Sequence, residues 1–195
     1  MRKGSRAIFG FVFVISFFAA SAFCGTVPLK SDLPFDKSST MSKKSITLVI
    51  PEDLASLVIK KKMRLFWFDF AIGESVASNA QRALESRFAT VKRASSATGA
   101  KTDLILEAKS YEVMPKFPMT TFGTYESKVK LTFLLRAKAQ AERTIVLDGD
   151  GGNRKNANLV LWDSGWNNTD KQQLGKATDL AVLDALSQLL DQFPH

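Results

Sequence analysis

The chain has 195 residues, with 27 Lys and Arg against 19 Asp and Glu, for a formal charge of +8. Its one His is His195 and its one Cys is Cys24, at opposite ends of the sequence. Ser-His-Asp and Cys-His mechanisms need an internal imidazole held in place, zinc needs about four N or S ligands, and a disulfide needs a second thiol, so these chemistries are excluded. Carboxylate, Lys, Tyr or Ser chemistry is left, or binding without chemistry, and the composition favours the last.

Residues 1–22 read as a secretory leader. Arg2, Lys3 and Arg6 form a basic start, an apolar run follows from Ile8 to Phe18, and Ala20-Ser21-Ala22 fits the small-x-small cleavage rule. The apolar run is shorter than the roughly 20 residues that cross a bilayer, which favours cleavage over an anchor helix. Cys24 is the candidate for lipidation, with Gly25 after it, but Phe23 fills the preceding position, where lipoprotein signals carry a small residue. Removing the leader lowers the charge from +8 to +5, too modest to imply nucleic acid.

Residues 23–45 are read as a flexible tether, because Gly25, Pro28, Pro34 and the polar run Asp36–Thr40 break any periodicity. A single domain is expected over 46–195. Ile46–Ile50 is a strand stopped by Pro51, and Pro51-Glu52-Asp53-Leu54 opens a brief helix. Met63–Phe70 alternates as a strand, with Trp67 and Asp69 on one face and Phe66, Phe68 and Phe70 on the other. A helix is expected from Glu74 to Phe88, with Val76, Ala80, Ala83, Leu84 and Phe88 on its stripe and Asn79, Gln81, Arg82 and Glu85 off it. Short strands are expected at Thr90–Arg93, Thr144–Leu147 and Leu159–Trp162, and longer ones at Asp103–Met114 and Lys128–Gln140. In the last of these Val129, Leu131, Phe133, Leu135 and Ala137 point one way. A capping box, Thr169-x-x-Gln172, opens the closing helix; its apolar face runs from Leu174 through Ala177, Ala181, Leu186 and Leu189 to Phe193, and Pro194 stops it. The fold class is α+β: a mainly antiparallel sheet of about four to six strands with two helices packed on one face.

Asp148-Gly149-Asp150-Gly151-Gly152-Asn153 invites a calcium reading, but an EF-hand needs Gly at the sixth position and Glu at the twelfth, where this chain has Asn153 and Leu159. The Asp-Gly steps are expected to be a hairpin turn. Neither a metal nor a cofactor is expected. The segment from Met114 to Gly123 sets large apolar side chains between two prolines. Lys116, Phe117, Met119 and Phe122 are its candidate contacts for a protein partner or lipid; the alternative is a loop folded back over the core. Lys128 and Lys130, in a basic row with Arg136 and Lys138, are candidate contacts for an anionic surface, or else cross-strand partners of acids such as Asp103 and Glu107. Trp162 and Trp166 are expected to plug the junction of the last strand and the closing helix.

Phe68-Asp69-Phe70-Ala71-Ile72-Gly73-Glu74-Ser75, leading into Asn79-Ala80-Gln81-Arg82-Ala83-Leu84, carries a strand into a helix through a Gly-Glu step. With the leader and the order of elements, this resembles small envelope proteins of Gram-negative bacteria, the lipopolysaccharide-assembly lipoprotein and YajG-like families. The resemblance implies export and no catalytic motif, and Phe23 before Cys24 departs from those families. The expected function is that of a non-enzymatic periplasmic or envelope accessory protein. It would bind an envelope membrane protein in outer-envelope assembly or maintenance. The alternative is a lipid or glycan carrier, which needs an apolar cavity under the Met114–Phe122 loop. A carboxylate-based hydrolase, with two acids across a cleft, is a third reading.

Overall fold

The computed structural model describes residues 24–63, 66–118, 122–138, 140–156 and 166–193, side chains excepted at 24, 66, 122–123, 154–156 and 166–170. The leader, Met119, the Leu159–Trp162 strand, Pro194 and the side chains of Phe122, Trp166 and Thr169 lie outside that set. In chain order the elements are β1 (Cys24–Val27), β2 (Ser42–Val49), α1 (Glu52–Ala55), β3 (Ile59–Met63), β4 (Phe66–Phe70), α2 (Ile72–Glu85), β5 (Phe88–Ala94), β6 (Leu104–Lys116), β7 (Phe122–Ala137), β8 (Arg143–Asn156) and α3 (Trp166–Asp191). The class is α+β, as the periodicities imply.

The strands make two sheets, one ordered β1-β4-β3 and one ordered β5-β2-β6-β7-β8. Both are mixed. The hairpins β6-β7 and β7-β8 are antiparallel, whereas β2 runs parallel to β5 and to β6, and β1 runs parallel to β4. A parallel neighbour requires a crossover, and α2 supplies the one between β2 and β5. The return from β5 to β6 is a loop held to β2 by a hydroxyl pair, Thr47 and Thr102, at 2.8 Å.

Alternation fixes the inner face of the larger sheet. Ile46, Leu48, Leu106, Val129, Leu131 and Phe133 are all buried, and they join Val76, Leu84, Leu174 and Leu186 in one core. A bulge between Ala108 and Ser110 shifts the phase of β6, so that Tyr111 and Val113 also turn inward. Helices α2 and α3 lie side by side on this face, α2 over β5 and α3 over β7 and β8.

The acidic glycine run is a correction. Asp148–Asn153 is no turn but the middle of β8, paired along its length with β7. Its glycines serve packing: a Cβ at Gly149 would stand 1.9 Å from the Ala181 carbonyl oxygen, and one at Gly151 would stand 1.9 Å from that of Ala177. Their absence of side chains lets α3 lie directly on the strand. There Asp184 accepts the Asp150 backbone N–H at 3.0 Å, and Gln188 donates to the Asp148 carbonyl at 2.9 Å. The free backbone groups of an edge strand thus find partners on the helix.

Other boundaries also move. Helix α3 already includes Thr169, so the Thr169–Gln172 pair is internal and not a cap. Phe88 leaves the helix stripe and begins β5, because Ser86 ends α2 by bonding back to the Ala83 carbonyl at 2.6 Å. The stretch read as a tether is largely structured: β1 pairs with β4, β2 starts at Ser42, and Leu33 is buried. Asn79, expected off the apolar stripe, is wholly buried. Its Oδ1 accepts the Leu33 N–H at 2.8 Å and its Nδ2 donates to the Lys30 carbonyl at 2.7 Å. A buried amide is tolerated when its groups are bonded, and here that bonding ties the chain before β2 onto α2.

Candidate functional site

The sequence points to the end of the sheet where β6 meets β7, and there the described part of the segment packs on the core. Phe117 packs on the core with its ring 5.5 Å from Phe68 and 5.5 Å from Tyr125, and Pro118 beside it is buried. Lys116 pairs with Glu126 at 3.0 Å across the hairpin. Met114 is exposed. Phe117 and Pro118 thus lie against the core, while Met119 and the side chain of Phe122 lie outside the described residues.

The basic row on the outer face of β7 is matched by carboxylates. Lys128 pairs with Asp150 at 2.9 Å, Arg136 with Glu107 at 2.9 Å and with Glu142 at 2.7 Å, and Lys138 with Asp103 at 3.5 Å. The Arg136 and Lys128 cations are held above their ordinary values mainly by the bonds to Glu142 and Asp150. Lys130 stands in register between Glu112 and Asp148. Exposed pairs of this kind add little stability, but they leave the face with no excess of positive charge along most of its length.

The open site lies at the opposite end. There β2, β5, β6 and β8 begin, β7 finishes, and the last turn of α3 arrives. Their ends enclose a cleft of about 550 Å³. Its apolar surface comes from Phe88, Leu104, Leu135, Ala137 and Phe193, with Phe88 and Phe193 edge-on at 5.2 Å. Its cations are Lys44, Arg87 and Arg143, and Ser42, Gln140 and Gln192 add neutral polar groups. Among the described residues of the wall there is no carboxylate, imidazole or thiol to move a proton. An apolar pocket of this volume with a cationic margin fits the body and the charged end of an anionic amphiphile. No cluster of three or more His, Cys, Asp or Glu suited to a metal occurs among the described residues.

Reasoning from the sequence missed this cleft. Its helical spacing puts Phe88 on a helix stripe, and the periodicities of Leu104, Leu135 and Phe193 mark them only as inward-facing. The available signal was that each stands at the last turn or last pair of its element, where a neighbour to cover it is not guaranteed.

No protein-family model matches the chain, and no curated protein matches it. Among solved structures, a minor lipoprotein from Acinetobacter baumannii is similar over 78% of this chain and 92% of its own, at 12% identity and a TM-score of 0.48. The rare lipoprotein B from Shewanella oneidensis is similar over 76% of this chain and 94% of its own, at 11% identity and a TM-score of 0.41. A Xanthomonas campestris protein is similar over 88% of this chain and 100% of its own, at 11% identity and a TM-score of 0.35. Similarity at this level assigns neither a family nor an activity to the chain.

Proposed function

We propose that the chain is an exported, non-enzymatic accessory protein of the cell envelope, which acts in outer-envelope assembly or maintenance by holding an anionic amphiphile. The leader supports export, and one observation supports the binding: the cleft of about 550 Å³ is lined by aromatic and aliphatic side chains together with Lys44, Arg87 and Arg143. Burying an apolar stem there gains roughly 0.8 kcal/mol per methylene, and the cations select the charged end.

The test uses the mature chain and a fluorescent fatty acid. Saturable binding is expected, weakened about tenfold when Lys44→Gln and Arg143→Gln are combined, as the removal of one or two charge-assisted hydrogen bonds implies. Unchanged affinity in that variant would exclude the cleft as the site. A second reading, an adaptor for an envelope membrane protein, is reached by a pull-down from solubilised envelope. A defined partner captured by a chain that binds no fatty acid favours the adaptor. N-terminal sequencing of the exported protein decides between cleavage after Ala22 and acylation at Cys24.

A further inference from the structure

The smaller sheet has an outer face on which Trp67 is exposed, while Asp69 Oδ1 is buried without a hydrogen-bond partner among the described residues. In β1-β4-β3, Val27, Phe68 and Phe70 turn inward and are buried. The alternation that buries them turns Trp67, Lys60 and Lys62 outward. Trp67 is 38% exposed, one of the few large apolar side chains at the surface. In the register Trp67 stands opposite Lys62, and Asp69 opposite Lys60. Cys24 is the parallel neighbour of Trp67.

Two further observations say what this face meets. The first is charge. On this face the register places Lys60 and Lys62 against one carboxylate, Asp69. Among the described residues none of these lysines is in an ion pair, unlike Lys128, Arg136 and Lys138 on the larger sheet. The second is position. The apolar run of the leader ends at Phe18, and β1 is already in register at Cys24, with no length of spacer between them. Acylation at Cys24 would therefore hold β1, and with it the smaller sheet, at the bilayer surface.

From these we infer that the outer face of the smaller sheet, centred on Trp67 with Lys60 and Lys62, seats on the surface of an anionic lipid bilayer. An indole is at home in the headgroup layer, where its ring is half solvated, and lysines beside it reach lipid phosphates with their stems against the apolar boundary. Such a face adds to the attachment in the acylated case and provides a reversible one in the cleaved case. This inference rests on the chain being exported, but not on the cleft being occupied.

The experiment is co-sedimentation of the mature, unacylated chain with phosphatidylcholine vesicles, with and without phosphatidylglycerol. Binding is expected only when phosphatidylglycerol is present, and it should weaken with salt. Lys62→Gln alone should lower it roughly fivefold, and Trp67→Ala with Lys60→Gln and Lys62→Gln by far more. Lys128→Gln, on the larger sheet, is the control and should leave binding unchanged. The inference is overturned if the parent ignores anionic vesicles, if the triple variant sediments like the parent, or if Lys128→Gln weakens binding as much as Lys62→Gln. Fatty-acid binding by the same samples is read separately, so failure here leaves the reading of the cleft standing.

Discussion

The two ends of the larger sheet are built from similar materials and come out differently. Where β6 ends, Phe117 lies against Phe68 and Tyr125. At the other end Phe88 and Phe193 touch edge to face, and beyond them the cleft stays open. Aromatic side chains are plentiful at both. What differs is the backbone available to cover them. The smaller sheet brings Phe68 up to the first end, whereas at the second six elements merely begin or end. An apolar loop is thus weak evidence for a binding site, and a gap between converging element ends is better evidence.

The comparison can be broken at its base, since both ends are held against α3. Gly151→Ala places a methyl against the Ala177 carbonyl and 2.6 Å from the Ala181 nitrogen, so helix and strand must part. Overpacking of this kind should cost about 3 kcal/mol. Chemical denaturation measures it, and a variant as stable as the parent would show that α3 does not bear on β8. A smaller effect separates the ends themselves. Phe117→Ala should cost about 2 kcal/mol and leave fatty-acid affinity unchanged, because it opens a cavity in a filled region. Phe193→Ala should cost about 1 kcal/mol yet weaken fatty-acid binding severalfold, because its ring lines an open one. The opposite pattern would move the site to the end that the sequence suggested.

The smallest effect is a pH dependence. Burial holds the Asp179 carboxyl above its ordinary value, against the opposing bond from the Lys30 N–H at 2.9 Å. Between the unfolded and the folded pKa the native state therefore binds more protons. Stability from this group is present at low pH and is lost as pH rises through that window. Asp179→Asn keeps the acceptor for Lys30 and removes the charge. It should equal or exceed the parent in melting temperature at neutral pH, with the advantage shrinking on acidification. An advantage that grows on acidification would mean that the carboxylate is favoured where it lies. Glu74 has the reverse sign: its bond with Arg93 lowers its pKa, so its contribution is present at neutral pH and fades as pH falls through the lowered value.

Much of the fold was legible because periodicity is local. The two-residue alternation of Val129, Leu131 and Phe133 and the stripe from Leu174 to Leu189 name the buried faces of β7 and α3 with no knowledge of their neighbours. The basic row's pairing with Asp103 and Glu107 was legible as well, because cross-strand partners follow from register. The parallel placement of β2 was not, since it depends on which strands meet after the chain has crossed over. Asp-Gly steps have the same composition in a turn and beneath a helix, so only the approach of Ala177 and Ala181 decides what Gly149 and Gly151 are for. Asn79 is polar by sequence and buried by circumstance, because the chain around Lys30 and Leu33 comes back to satisfy it. The sequence by itself determined the leader-like pattern of residues 1–22, the placing of the one His and the one Cys at opposite ends, and the inward faces of the long strands and helices. These depend on residue identity and on spacing within one element. The tertiary structure decided the cleft, the packing of Phe117 on Phe68 and Tyr125, and which lysines meet no acid among the described residues, because each depends on distances between elements far apart in the chain.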